Sequence, residues 1–290
     1  MSGSSPYRLD IADLEARVKA MYEQVATQPQ REFHFETGRA LAERLGYPAA
    51  DLDAIPAAAV ESFAGVGYFL DLAAIRPGET VLDLGSGSGT DSFLAAIAAG
   101  SAGRVVGVDM TTAQLAKSRH LARSAGVMNV EFREGHVERP PVDDASIDCV
   151  ISNGVINLSA DKHAVFQAAA TALRPGGRLV LADIVSAVRL PDAVTCDASL
   201  WAACIGGAAQ RDDYLDAIRA AGFHIGTIRE NDEYRFRTDR AVERQPHTVS
   251  RASAFSLRAR PDGRPNPAAR RREGARAWAR HGGSVHQGQW

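Results

Sequence analysis

Cysteine is scarce: three in 290 residues, at Cys149, Cys196 and Cys204. That is too few and too scattered for a disulfide scaffold, so a reducing cytoplasm is the expected compartment. No apolar run approaches the 18 residues of a membrane span. The opening MSGSSPYRLD has no apolar core, so no secretory leader is expected. Net charge is also lacking, at −2, which gives no general attraction to nucleic acid. That average hides an asymmetry. Arg244 to Trp290 holds ten arginines against Asp262 and Glu273, about +8, so the rest of the chain carries about −10. Residues 261–290 are rich in Gly and Pro and poor in aliphatic side chains, and are expected to form a basic, disordered tail. Its aromatics are only Trp278 and Trp290, too few for a nucleic-acid stacking platform.

The remaining composition is that of a folded protein, with 45% hydrophobic and 23% charged residues. Ile11, Leu14, Val18, Met21 and Val25 recur at helical spacing, which predicts a helix over Leu9 to Val25. Gly38 to Leu45 reads as a second, and Pro56 to Leu72 as a third, with Gly65 and Gly67 inside it. Residues 1–75 thus read as a helical cap. The pattern then changes. ETVLDLGSG, RVVGVDM, VEFREG, IDCVISNG, GRLVLADIV, FHIGTIRE and ASAFSLRAR read as strands, and RPGG as a turn. Helices are expected between them over DSFLAAIAAG, Thr112 to Ala125, Asp161 to Leu173 and Asp212 to Ala221. Strands alternating with helices predict an α/β, Rossmann-like, seven-stranded and mostly parallel sheet over residues 76–260. The segment Leu190 to Arg211 interrupts the alternation near the carboxyl ends of the strands, where ligands bind in such sheets.

The glycines of VLDLGSGSG follow a strand and precede a helix, so a ligand can approach the backbone. Dinucleotide enzymes share that logic, but the third glycine of their G-x-G-x-x-G would fall on Thr90. Asp83, two residues before Gly85, suits an amino group and would repel a pyrophosphate. Asp109 ends the next strand, where it can accept both hydroxyls of a ribose. An ammonium, a ribose and a sulfonium are the parts of S-adenosylmethionine (SAM).

These stretches, with NVEFREGHVERPPV, VISNGVINLSADK, LRPGGRLVLADIV and ACIGGA, resemble the class I SAM-dependent methyltransferases and, more narrowly, the arsenite methyltransferase-like group. The resemblance covers roughly residues 75–225. It implies SAM as cofactor, no resident metal and a small-molecule acceptor. It places Asp83, Gly85 and Gly87 at the methionine end, Asp109 on the ribose, and Met110, His136 and Val137 about the adenine, with Gly89 also counted as cofactor-binding. Asn153 would line the methyl-transfer site and Cys204 would serve as a thiolate for As(III), a soft acceptor that prefers sulfur. The chain departs from the group at two points. It reads SNGV where the group reads SNCV, so Gly154 replaces a cysteine, and ESFAGVGYF before the first strand has none. Cys196 lies close enough in sequence to add a thiolate, while Cys149 sits in an apolar strand and reads as core. The alternative is an O-, N- or C-methyltransferase of a small metabolite, for which His34 and Tyr22 are candidate bases, and Trp201 and Phe63 candidate walls. His163 reads as an exposed residue at a helix start. Asn153 is not followed by the Pro-Pro of enzymes that methylate the amino groups of DNA bases, which excludes that class. A non-enzymatic SAM- or nucleic-acid-binding protein is the remaining reading.

Overall fold

A computed structural model describes residues 9–202, 206–234 and 250–259. The cap comprises α1 (Ile11–Thr27), α2 (Arg39–Arg44), α3 (Ala49–Asp53), α4 (Ala57–Glu61) and α5 (Leu70–Ala73). Asp10 caps α1 by accepting from the N–H groups of Ala12 and Asp13. Leu14, Val18 and Val25 are the buried stripe of α1.

The sheet contains β1 (Thr80–Leu84), β2 (Arg104–Asp109), β3 (Val130–Glu134), β4 (Ile147–Asn153), β5 (Leu173–Ser186), β6 (Ala209–Gln210), β7 (Phe223–Asn231) and β8 (Ser250–Ala259). Around it lie α6 (Thr90–Ala99), α7 (Thr112–Ser124), α8 (Lys162–Ala172), α9 (Asp192–Thr195), α10 (Ala198–Ala202) and α11 (Arg211–Ala220). The spatial order is β3-β2-β1-β4-β5-β8-β7, with the two-residue β6 pairing beside the end of β5. β8 runs antiparallel between β5 and β7, and the other pairs are parallel. Val81, Leu82, Leu84, Val150, Ile151, Leu179, Val180 and Leu181 are buried, as expected of central strands covered on both faces. Among the described residues no helix is long and apolar enough to cross a membrane.

Two expectations are corrected. Pro56 to Leu72 is not one helix: α4 ends at Glu61 and the chain is irregular until Leu70. The reason is packing. A Cβ on Gly65 would lie 2.5 Å from Asn153 Nδ2, so this glycine brings the backbone against the end of β4. RPGG is not a free turn between elements but lies within β5. Ile147 pairs with Leu173 and Cys149 with Arg178, so the residues between them leave the register while the strand continues.

Candidate functional site

The order reverses beside β1, whose neighbours β2 and β4 lie on opposite sides. A crevice at the carboxyl ends of strands is the expected ligand site in such a sheet. There the structure holds a cavity of about 650 Å³. The loop after β1, the ends of β2 and β4, and α1 line it. Asp83, Gly85, Gly87, Asp109, Met110, His136, Val137 and Asn153 are all on its wall. The structure does not bring Gly89 there. Gly89 starts α6 at φ +99°, and a Cβ on it would lie within 3 Å of Phe93 and Phe132, so its role is packing. Cys204 lies outside the described residues, as does the basic tail.

The glycine loop is tied to both neighbouring strands. Gly85 and Ser86 donate their N–H groups to Val108 O. Gly87 donates to Asp109 Oδ2 at 2.9 Å and Thr111 to Oδ1 at 2.8 Å. Each Asp109 oxygen thus keeps lone-pair capacity for a ligand hydroxyl. Ser88 Oγ donates to Gln114 Oε1, and Gln114 Nε2 donates to Tyr22 O, which ties α1 over the cavity.

Of the carboxylates that line this space, Asp83, Asp91 and Asp109 are raised above the usual range. Burial, followed by the Asp91 charge, pushes Asp83 up to about 8, although Ser92 Oγ donates to it at 2.5 Å. Burial raises Asp91 to about 6 against hydrogen bonds from Tyr47 and Asn153. Burial also raises Asp109, against bonds from Thr111 and Gly87. Among the described residues no Lys or Arg forms an ion pair with any of them. Unpaired buried carboxylates are costly, and a cationic ligand relieves that cost. The donor set fits SAM: carboxylates for a cation, a second carboxylate for a diol, and apolar surface for a base.

Of the other candidates, Tyr22 and Phe63 line the cavity; His34, His163, Cys196 and Trp201 do not. His34 packs edge-on against Phe35. Trp201 donates Nε1 to Thr195 O and lies under Lys162 Nζ, 4.7 Å from the ring centroid. Cys149 is fully buried, and burial pushes its thiol up to about 12. No thiol of a described residue lines the cavity. Where a Cβ on Gly154 would stand, Val66 Cγ1 is 3.1 Å away. The two cysteine-free stretches, SNGV and ESFAGVGYF, therefore meet at an apolar contact.

Sequence reasoning missed Tyr47 and Asp91, and the wall formed by Ile11, Leu14, Glu15 and Val18. Asp91 follows the last loop glycine by two residues but reads as an ordinary first-turn acid of α6. Tyr47 sits in a Gly-Tyr-Pro turn and carries no signal of its own.

Asp109→Asn is expected to weaken SAM binding about tenfold, because an amide cannot accept from both Gly87 and Thr111 and one loop N–H loses its partner, about 1–2 kcal/mol. Titration calorimetry checks this, and unchanged affinity would refute the role.

A mostly parallel sheet with a glycine loop after its first strand and a carboxylate ending its second is the arrangement of nucleoside-binding α/β proteins. A family model described as a methyltransferase domain matches residues 75–222. The arsenite methyltransferase of Halobacterium salinarum is 42% identical over 198 residues, 68% of this chain and 50% of that protein. That of Aquipseudomonas alcaligenes is 43% identical over 157 residues, 52% of this chain and 45% of that one. The chain spans about half the length of the curated relatives it matches. The crystal structure of an arsenic(III) S-adenosylmethionine methyltransferase from Chlamydomonas reinhardtii superposes with a TM-score of 0.58 at 31% identity, covering 77% of this chain and 74% of that one. The chain belongs to the class I SAM-dependent methyltransferases, in the arsenite methyltransferase-like group.

Proposed function

We propose that this protein transfers the methyl group of SAM to a small acceptor in the 650 Å³ cavity, with As(III) as the first candidate. The observation that carries the reading is the buried Asp83 and Asp91 and the half-buried Asp109 about the glycine loop, none of which has a Lys or Arg ion pair among the described residues. Asp83 would hold the ammonium, Asp109 would accept from the ribose hydroxyls, and Met110, His136 and Val137 would hold the adenine. Gly85 and Gly87 would leave room on the loop for the methionine end. When bound, SAM would supply an electrophilic methyl carbon on a sulfonium, whose carbon–sulfur bond breaks as the bond to the acceptor forms and the thioether leaves with the electron pair. The chain's own task is to orient the acceptor and exclude water. The α1 side chains Leu14 and Val18 close the cavity from the cap side. As(III) is a soft nucleophile and needs no base; of the two candidate bases, Tyr22 lines the cavity and His34 does not. Cys204 is the proposed thiolate ligand of As(III).

The contact of Val66 with Gly154 favours a second reading, an acceptor carried on O, N or C, since it places no thiolate at that point. One assay separates the two. The protein is incubated with methyl-labelled SAM, glutathione and As(III), and the arsenic species are separated. The first reading expects methylated arsenic, lost in Cys204→Ser. SAM binding without methylated arsenic would rule As(III) out and leave the second.

A further inference from the structure

Asn153 ends β4 on the cavity wall, yet its amide is committed within the protein. Nδ2 lies 2.9 Å from Tyr47 Oη, 3.0 Å from Asp91 Oδ2 and 3.1 Å from Gly67 O. Oδ1 accepts from the Val66 N–H at 2.8 Å. A primary amide has two N–H bonds, and three protein acceptors share them, so none is left for a substrate. The network closes on itself, because Tyr47 Oη donates to Asp91 Oδ1 at 2.6 Å. Four segments far apart in sequence meet here: the α2–α3 link, the first turn of α6, the end of β4, and the loop between α4 and α5.

That loop is part of the cavity, since Phe63, Ala64 and Gly65 line it. The Tyr47 ring also packs edge-on against Phe63, with centroids 5.0 Å apart. Tyr47 itself is buried and does not line the cavity. Its hydroxyl therefore acts on a ligand only through Asn153, Asp91 and the loop, whereas Asp91 also stands on the cavity wall. A fully satisfied buried polar network fixes one arrangement of the segments it joins.

We propose that Tyr47 is a positioning residue that, together with the wall residue Asp91, locks Asn153 and, through it, the 63–67 loop as the acceptor wall. The proposal rests on the reading that the cavity takes an acceptor beside SAM.

The test uses the full chain and Tyr47→Phe, which keeps the ring and removes only the hydroxyl. Hydrogen exchange of the 63–67 amides is followed by mass spectrometry, SAM affinity by calorimetry, and methyl transfer with glutathione and As(III). The expected result is at least tenfold faster exchange in the loop, at least tenfold higher acceptor KM, kcat within threefold and SAM affinity within twofold. Unchanged loop exchange would overturn the proposal, as would a fall in kcat at constant acceptor KM. If Tyr47→Phe does not fold, Asp91→Asn, which sets an amide N–H against Asn153 Nδ2, replaces it with the same expected exchange. Exchange is read without an acceptor, so a wild-type chain that methylates no arsenic refutes As(III) alone, and loop exchange still decides the network.

Discussion

Asp83→Asn is expected to make the chain more stable and to weaken SAM binding about 100-fold. The two effects have one cause. Asp83 is fully buried beside Asp91, and its carboxyl group is pushed up to about 8 in the folded chain from an ordinary value of 3.8. A raised carboxyl pKa means that the folded state holds its proton more tightly than the unfolded state. The stability linked to that proton is complete below about pH 4 and is lost as pH rises to about 8. An asparagine does not titrate, and its carbonyl oxygen can still accept from Ser92. The variant should therefore gain roughly 2 kcal/mol over wild type at alkaline pH, with a smaller gain at pH 5. Its loss is the charge opposite the ligand ammonium. One charge-assisted hydrogen bond is worth about 2–3 kcal/mol, hence the 100-fold change in affinity. Thermal melts at pH 5 and 8.5, with calorimetric SAM titration, test both halves. A variant that melts lower than wild type at pH 8.5 would contradict the account of the buried charge.

Gly85→Ala is expected to destabilise the fold by about 3 kcal/mol and to close the loop to the cofactor. Gly85 has φ +74°, a left-handed conformation that strains an L residue by about 1–2 kcal/mol. In addition, a Cβ there would lie 2.5–2.7 Å from three side-chain atoms of Val155. Relieving that overlap shifts Val155, itself on the cavity wall, by a further 1–3 kcal/mol. Gly78→Ala is the control, because Gly78 has φ +87° with nothing within 4 Å of the added carbon. It should show only the backbone strain, about 1 kcal/mol. Denaturant unfolding of the two variants measures the difference. Equal losses would show that Val155 yields freely and that the contact has no role.

The strands and helices were legible because each is a local pattern. Alternating runs of Val, Leu and Ile broken by glycine identify the strands, and all seven expected ones form. The α1 helix was read from its spacing within two residues of its ends. The cavity-wall residues Asp83, Gly85, Gly87 and Asp109 were equally legible, since they lie on one short strand–loop–helix–strand unit. What failed did so for tertiary reasons. Gly89 belongs to the same motif yet packs on Phe93 and Phe132. Asn153 does stand on the cavity wall, but no local pattern shows that its amide is engaged by partners up to 106 residues away.

The sequence alone determined the fold class, the SAM chemistry and the acidic residues at the strand ends. Periodicity, turn residues and motif spacing all act over a few residues, and those properties depend on nothing longer. The tertiary structure decided the wall proposed for the acceptor. The order β2-β1-β4 sets the Asn153 strand beside the glycine loop, and the cap then delivers Tyr47 to Asp91, 44 residues away in the chain. The same assembly seats Val66 against Gly154 and lays α1 across the cavity. Such contacts arise only when separate segments bury their apolar faces together, and no local pattern specifies which polar groups then meet.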